Sequence, residues 1–80
     1  MTQGRWFGIV IEQTESNYGA YAPDVPGCVA IGSTLEEVRR NMLEALRFHL
    51  EDEQALIYVK ALKVSDRTFY SDARDAIGPP

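Results

Sequence analysis

Residues 33–50 read STLEEVRRNMLEALRFHL, and this stretch carries the clearest structural signal in the chain. The hydroxyl of Ser33 or Thr34 can cap the first turn of a helix, and Glu36 or Glu37 lies three residues further on to complete a capping box. The helix should end near residues 51–53. On a helical wheel its apolar positions span an arc of about 160°, and we expect the following residues to face the core: Leu35, Val38, Met42, Leu43, Ala45, Leu46, His49 and Leu50.

Three short extended segments precede this helix. Residues 5–13 alternate with a period of two in a β-branched and aromatic setting, which predicts a first strand. A polar turn at residues 14–17 and a second extended run at 18–22 complete a hairpin. Pro23 and Pro26 end that run because proline lacks a backbone N–H donor, and residues 28–31 predict a third strand. We expect these three strands to form an antiparallel sheet.

The segment after the helix is less strongly patterned. Residues 55–64 are rich in Leu, Ile, Tyr and Val and predict a fourth strand, with a continuation of the helix as the alternative. Residues 65–80 predict a weakly structured tail, in which Ser71 can cap one or two helical turns over 71–77. The result is one domain over residues 1–80, an α+β fold of order β-β-β-α-β with a short C-terminal element.

The predicted first strand is apolar on both of its faces. If Phe7 and Ile9 face the helix, then Trp6, Gly8 and Val10 face the other way, although the solvated face of an antiparallel sheet is normally polar. A second copy of the chain, another protein or the chain's own C-terminal segment, with Phe69, Tyr70 and Ile77, could cover this second face. Phe48 poses the same question, because it lies outside the apolar arc of the helix.

Composition excludes several classes of protein. The formal charge is −4, with 45% hydrophobic and 25% charged residues, which is typical of a globular domain and lacks the basic character of nucleic-acid-binding proteins. We see no export signal and no membrane span. One cysteine, Cys28, forms no intrachain disulfide, and with His49 alone it does not make a zinc site. We therefore expect a cytoplasmic protein.

Candidate catalytic groups are few. Cys28 is most simply a small packing residue and His49 a histidine of the core or its edge, so neither predicts a nucleophilic centre. Glu12, Asp24 and a helix carboxylate could together bind Mg²⁺ or Mn²⁺ in a nuclease, but solvated surface acids are the commoner case. We expect no catalytic residue, no metal and no cofactor, and keep a metal-dependent nuclease as the alternative.

Three motifs follow one another in the middle of the chain: Ala22-Pro23-Asp24-Val25-Pro26-Gly27-Cys28, Gly32-Ser33-Thr34-Leu35-Glu36-Glu37 and Asn41-Met42-Leu43-Glu44-Ala45-Leu46. With the opening strand and hairpin, their order and spacing over residues 5–50 resemble the HicB antitoxin family. The resemblance implies a partial RNase H-like fold without a working nuclease centre. It also implies an antitoxin that masks a small basic ribonuclease, HicA. It assigns structural roles to Pro23, Pro26, Gly27, Gly32 and Thr34.

The residues predict a non-enzymatic binding protein, and the resemblance implies that its partner is a HicA-like toxin. Its acidity suits a basic partner, and its second sheet face suggests a homodimer or a higher homo-oligomer. Typical full-length members of the family carry a DNA-binding segment after this domain. Residues 55–80 are too short and too acidic for one, so we do not expect this chain alone to bind DNA without an added C-terminal domain. We also keep open an orphan dimeric module without a toxin partner and a small DNA-binding regulator. We expect partner or dimer contacts at Trp6, Val10, Tyr18, Tyr21, Asp24 and Phe48.

Overall fold

The computed structural model describes residues 5–70 as one helix packed on a five-stranded sheet. The strands are β1 (Trp6–Gln13), β2 (Tyr18–Tyr21), β3 (Val29–Gly32), β4 (Leu56–Val64) and β5 (Arg67–Tyr70), and helix α1 (Leu35–Leu50) lies between β3 and β4 in the chain. The sheet has the order β3-β2-β1-β4-β5. The α+β class, the single main helix and the fourth strand are confirmed, while the sheet is larger than predicted and mixed.

Strand β1 lies at the centre of the sheet. It pairs antiparallel with β2, where Val10 faces Tyr21, and parallel with β4, where Trp6 faces Leu56. The parallel register shifts after Ile9, so that Lys60 has no partner in β1 and forms a β-bulge. The three predicted antiparallel strands are therefore three of the five strands of a sheet that continues through a parallel pair.

Strand β5 is absent from the sequence prediction. A two-residue turn, Ser65 and Asp66, joins it to β4, since Val64 pairs directly with Arg67. Ser65 adopts a left-handed backbone with φ of 58°. All four residues of β5 are exposed, so it extends the sheet without adding to the core. The helical turns predicted for 71–77 lie outside the described residues.

The loop between β2 and β3 consists of two consecutive β-turns. The N–H of Val25 donates to the carbonyl of Ala22 at 3.0 Å, and the N–H of Cys28 donates to the carbonyl of Val25 at 3.2 Å. In the second turn Pro26 precedes Gly27, whose φ of +87° fits the third position of a type II turn. Ala22, Val25 and Cys28 are buried, so the loop is anchored in the core at every third residue.

Helix α1 has side-chain and backbone caps at its two ends. The hydroxyl of Thr34 accepts a hydrogen bond from the Glu37 N–H at 3.0 Å, and the Glu37 carboxylate accepts one from the Ser33 N–H. At the other end Glu51 is left-handed with φ of 55°, and the N–H of Asp52 donates to the carbonyl of Arg47 at 3.0 Å, as in a Schellman motif. The predicted helix start and end are confirmed.

The core lies between α1 and one face of the sheet. It consists of Ile9, Ile11, Ala20, Ala22, Val25, Cys28, Val38, Met42, Leu46 and Ala55. The predicted apolar arc is too wide, because only Val38, Met42 and Leu46 of the helix are fully buried. Leu35 is 41% exposed and His49 is exposed, so the prediction of a core histidine is wrong. Across residues 5–70 no helix is long and apolar enough to cross a membrane.

Candidate interaction surface

The face of the sheet opposite α1 is apolar and is covered by no element of residues 5–70. Alternation along β1, which places Ile9 and Ile11 in the core, directs Trp6, Gly8 and Val10 to this opposite face. The strand pairings then align residues of the other four strands with them. We call this surface the open sheet face and define its apolar and aromatic part by Trp6, Val10, Tyr21, Val29, Ile31, Leu56, Tyr58, Ala61 and Tyr70.

The open sheet face has small, nearly buried side chains at its centre, which we call its low centre, and larger, exposed side chains around them. Val10 and Ala61 are paired in register and are only 6% and 4% exposed. Trp6, Val29, Ile31 and Tyr70 are 46%, 63%, 65% and 79% exposed. Monomeric proteins rarely leave large contiguous apolar surface in water, so this face has the character of an interaction surface.

Gly8 makes room for two neighbouring side chains near this centre. A Cβ atom on Gly8 would lie 2.8 Å from the Lys60 side chain and 3.0 Å from the Tyr58 hydroxyl. These two side chains therefore lie directly over the Gly8 backbone on the open sheet face. The absence of a side chain at position 8 lets the neighbouring strand's residues lie across β1.

One polar cluster lies at the margin of the open sheet face. The Lys63 ammonium is 3.5 Å from the Glu12 carboxylate. The nearby Tyr21 oxygen and then the Glu12 carboxylate raise the pKa of Lys63. This ion pair is neutral as a whole. The other acids of the described chain lie on α1 and in the loops: Glu15, Asp24, Glu36, Glu37, Glu44, Glu51, Asp52, Glu53 and Asp66.

The six predicted contact residues do not form one surface. Trp6, Val10 and Tyr21 share the open sheet face, whereas Tyr18 packs against the core on the helix side. Asp24 is exposed in the loop between β2 and β3, and Phe48 is 86% exposed on α1, in the other layer. The sequence prediction of contacts omitted Val29 and Ile31. Their alternation with the smaller Ala30, whose side chain packs on the core, is the signal that assigns them to the open sheet face.

The described residues offer contact chemistry more readily than catalysis. Burial raises the pKa of the Cys28 thiol, which disfavours the nucleophilic thiolate. Among residues 5–70 no three His, Cys, Asp or Glu side chains come together as potential metal ligands. Glu12, one of the carboxylates of the nuclease alternative, faces the Lys63 ammonium instead. The structure therefore gives the nuclease alternative no metal-binding geometry within the part of the chain that it describes.

Comparison with known proteins identifies relatives in bacteria and a phage. A 14.9 kDa protein from the rep-hol intergenic region of Haemophilus phage HP1 is 44% identical over 45 residues, which are 56% of this chain and 34% of the phage protein. A UPF0150 protein of Helicobacter pylori is 44% identical over 46 residues, covering 58% of this chain and 64% of the relative. One from Thermotoga maritima is 46% identical over 44 residues, covering 55% and 59%.

These alignments span between about one third and two thirds of the relatives' own lengths. No solved structure matches the chain significantly. A family model described as the HicB_like antitoxin of bacterial toxin-antitoxin systems matches residues 7–76, and that range includes every strand and the helix described above except the first residue of β1. The chain therefore belongs to the HicB-like antitoxin family.

Proposed function

We propose that this protein is the antitoxin of a type II toxin–antitoxin pair and that it neutralises a small basic ribonuclease of the HicA type by binding it. The family match over residues 7–76 carries the proposal. Family membership implies a toxin partner in general, and the HicA type is the partner that the motifs around Pro23, Thr34 and Asn41 favour. In this proposal the protein is a masking protein and not an enzyme.

The charge of the chain supports a basic partner. With 8 Lys and Arg against 12 Asp and Glu, its formal charge is −4. The excess of acids lies in the loops, because α1 itself carries three glutamates and three arginines. Complementary charge accelerates encounter and disfavours wrong partners. We expect the association rate with the toxin to fall steeply as salt is raised, because screening shortens the range of this attraction.

We further propose a scaffold, a cellular compartment and an oligomeric state for this protein. The order β-β-β-α-β is compatible with a partial RNase H-like scaffold that has no nuclease centre. A reducing cytoplasm suits the single buried thiol of Cys28. We also propose that the protein acts as a dimer.

The proposal is tested by co-expression with a HicA-family toxin from the same genome. Expression of the toxin alone should arrest growth, co-expression of this chain should restore it, and the two proteins should co-purify. The destabilised control is Leu46→Ala, which truncates a fully buried side chain. Growth arrest that persists while the wild-type chain is soluble and folded would overturn the antitoxin assignment.

The non-enzymatic part of the proposal has its own test. The purified protein is incubated with RNA, DNA and hybrid substrates in the presence of Mg²⁺ or Mn²⁺. We expect all strands to stay intact. Metal-dependent cleavage that is lost in Glu12→Gln and Asp24→Asn variants would support the nuclease alternative instead.

A further inference from the structure

We propose that the open sheet face is the interface between two copies of this chain, packed sheet against sheet. The inference deepens the proposed dimer and rests on it. The dimer should form without a bound toxin, because every residue of the open sheet face belongs to this chain. The competing occupants of this face are the toxin and residues 71–80 of the same chain.

The exposed apolar area is more than half of what a stable dimer needs. The four most exposed apolar side chains of the open sheet face, Trp6, Val29, Ile31 and Tyr70, are 46–79% exposed. Together they present roughly 500 Å² per copy. A standard interface buries about 800 Å² per partner. The half-buried Tyr21, Leu56 and Tyr58 and the polar margin would supply the difference.

The shape of the face is suited to a copy of itself. Two packed sheets lie about 10 Å apart, and their inner side chains interdigitate. Here the central Val10 and Ala61 are small, whereas Trp6, Ile31 and Tyr70 at the margins are large. Large marginal side chains of one copy can fill the low centre of the other, and this arrangement satisfies both copies at once, as an isologous two-fold interface requires.

Charge favours a second copy over a basic toxin at this face. Two chains of formal charge −4 repel each other, so they should meet where acids are fewest. On the open sheet face Glu12 is already paired with Lys63, and Lys60 is the remaining charged residue at the bulge. Because Glu12 neutralises Lys63, a basic protein would meet the unbalanced positive charge of Lys60 there. The excess of acids, which suits a basic partner, lies in the loops, above all at residues 51–53.

The test compares two variants that place an acid at an exposed apolar position. Ile31→Glu alters the open sheet face, where residue 31 is 65% exposed, and Phe48→Glu is the matched control on α1, where residue 48 is 86% exposed. Neither side chain belongs to the buried core, so both variants should fold. Mass is measured by sedimentation equilibrium over a hundredfold range of protein concentration. Wild type and F48E should have twice the 9.0 kDa monomer mass, and I31E should be a monomer.

Trp6 supplies a second measurement from within the face. It is the only tryptophan in the chain, so intrinsic fluorescence reports its environment directly. Emission should shift to the red as wild type and F48E are diluted and their copies separate. The emission of I31E should already be red-shifted and independent of concentration.

The outcomes separate this inference from the antitoxin proposal. A monomeric wild type, with Trp6 emission independent of concentration, overturns the inference and indicates that the face is covered by the chain itself or kept for another partner. A dimer that I31E leaves intact overturns the assignment of the face. Rescue of growth is scored separately: a wild-type dimer that fails to neutralise toxin refutes the antitoxin proposal alone.

Discussion

Replacing Gly32 with alanine should destabilise the fold, because a Cβ atom at this position would collide with the start of α1. It would lie 2.5 Å from the backbone nitrogen and 2.7 Å from the Cα atom of Val38, whereas carbon atoms in good contact are about 3.5–4.0 Å apart. Both obstructing atoms belong to the backbone, so no side-chain rotation relieves the overlap. The first turn of α1 must move away from β3 by about 1 Å.

Two contributions set the size of the effect. Overpacking of this kind costs about 1–3 kcal/mol. Movement of the first turn also strains the hydrogen bond from the Glu37 N–H to the Thr34 hydroxyl, which is 3.0 Å long, and loss of an N-cap costs about 1 kcal/mol. We therefore expect G32A to lower the free energy of unfolding by about 2–4 kcal/mol. A domain of 80 residues has about 4–12 kcal/mol in total.

The assay is urea denaturation followed by the circular dichroism of the helix, at one fixed protein concentration. With a slope of about 1 kcal/mol per molar urea, the G32A midpoint should fall by at least about 2 M. Gly19→Ala is the matched control, since the nearest atom to its Cβ would be the Ala30 carbonyl oxygen at 3.9 Å. It should match wild type within about 1 kcal/mol. Equal midpoints for G32A and G19A would refute the close packing of α1 on the end of β3.

Three further predictions use the same assay. Leu46→Ala, at a fully buried position, should cost about 2–4 kcal/mol, and an unchanged midpoint would mean that α1 packs through another face. Glu51→Gly should stabilise the fold by about 1 kcal/mol because residue 51 has φ of 55°; Glu53→Gly is the control and should give no gain. Burial raises the pKa of Cys28 above its ordinary value of 9.0, so the unfolded thiol ionises before the native one. That contribution to stability is present below the ordinary value of 9.0 and should be lost as the pH rises above it, and Cys28→Ala should remove this part of the decline.

The helix and the first three strands could be predicted from the sequence because each has a strong local signal. Thr34 and Glu37 mark the helix start, and the two prolines of the loop after β2 mark the end of that strand. Strand β5 could not be predicted, because its turn uses Ser65 and Asp66 where the glycine or asparagine typical of tight hairpins is missing. Its four residues also contribute no buried pattern to detect.

Part of the open sheet face could also be predicted from a local signal. Alternation along β1 was enough to direct Trp6 and Val10 away from the helix. Tyr18 and Tyr21 differ by three positions, so alternation alone puts them on opposite faces of β2. The pairing with β1 decides which of the two faces the helix. The width of the buried helix stripe was overestimated, because Leu35 in the first turn of α1 and His49 in its last turn are exposed although both lie within the apolar arc.

The parallel pairing of β1 with β4 affects how fast the chain folds and how readily it aggregates or is cut by proteases. Trp6 pairs with Leu56, fifty residues further along, so the centre of the sheet closes only after nearly all of the described chain has been synthesised. Such non-local pairing slows folding. Until β4 arrives, β1 is an unprotected sheet edge, which invites aggregation or proteolysis. A protease cut between α1 and β4, at residues 51–55, would separate the two central strands and turn a folded protein back into that vulnerable intermediate.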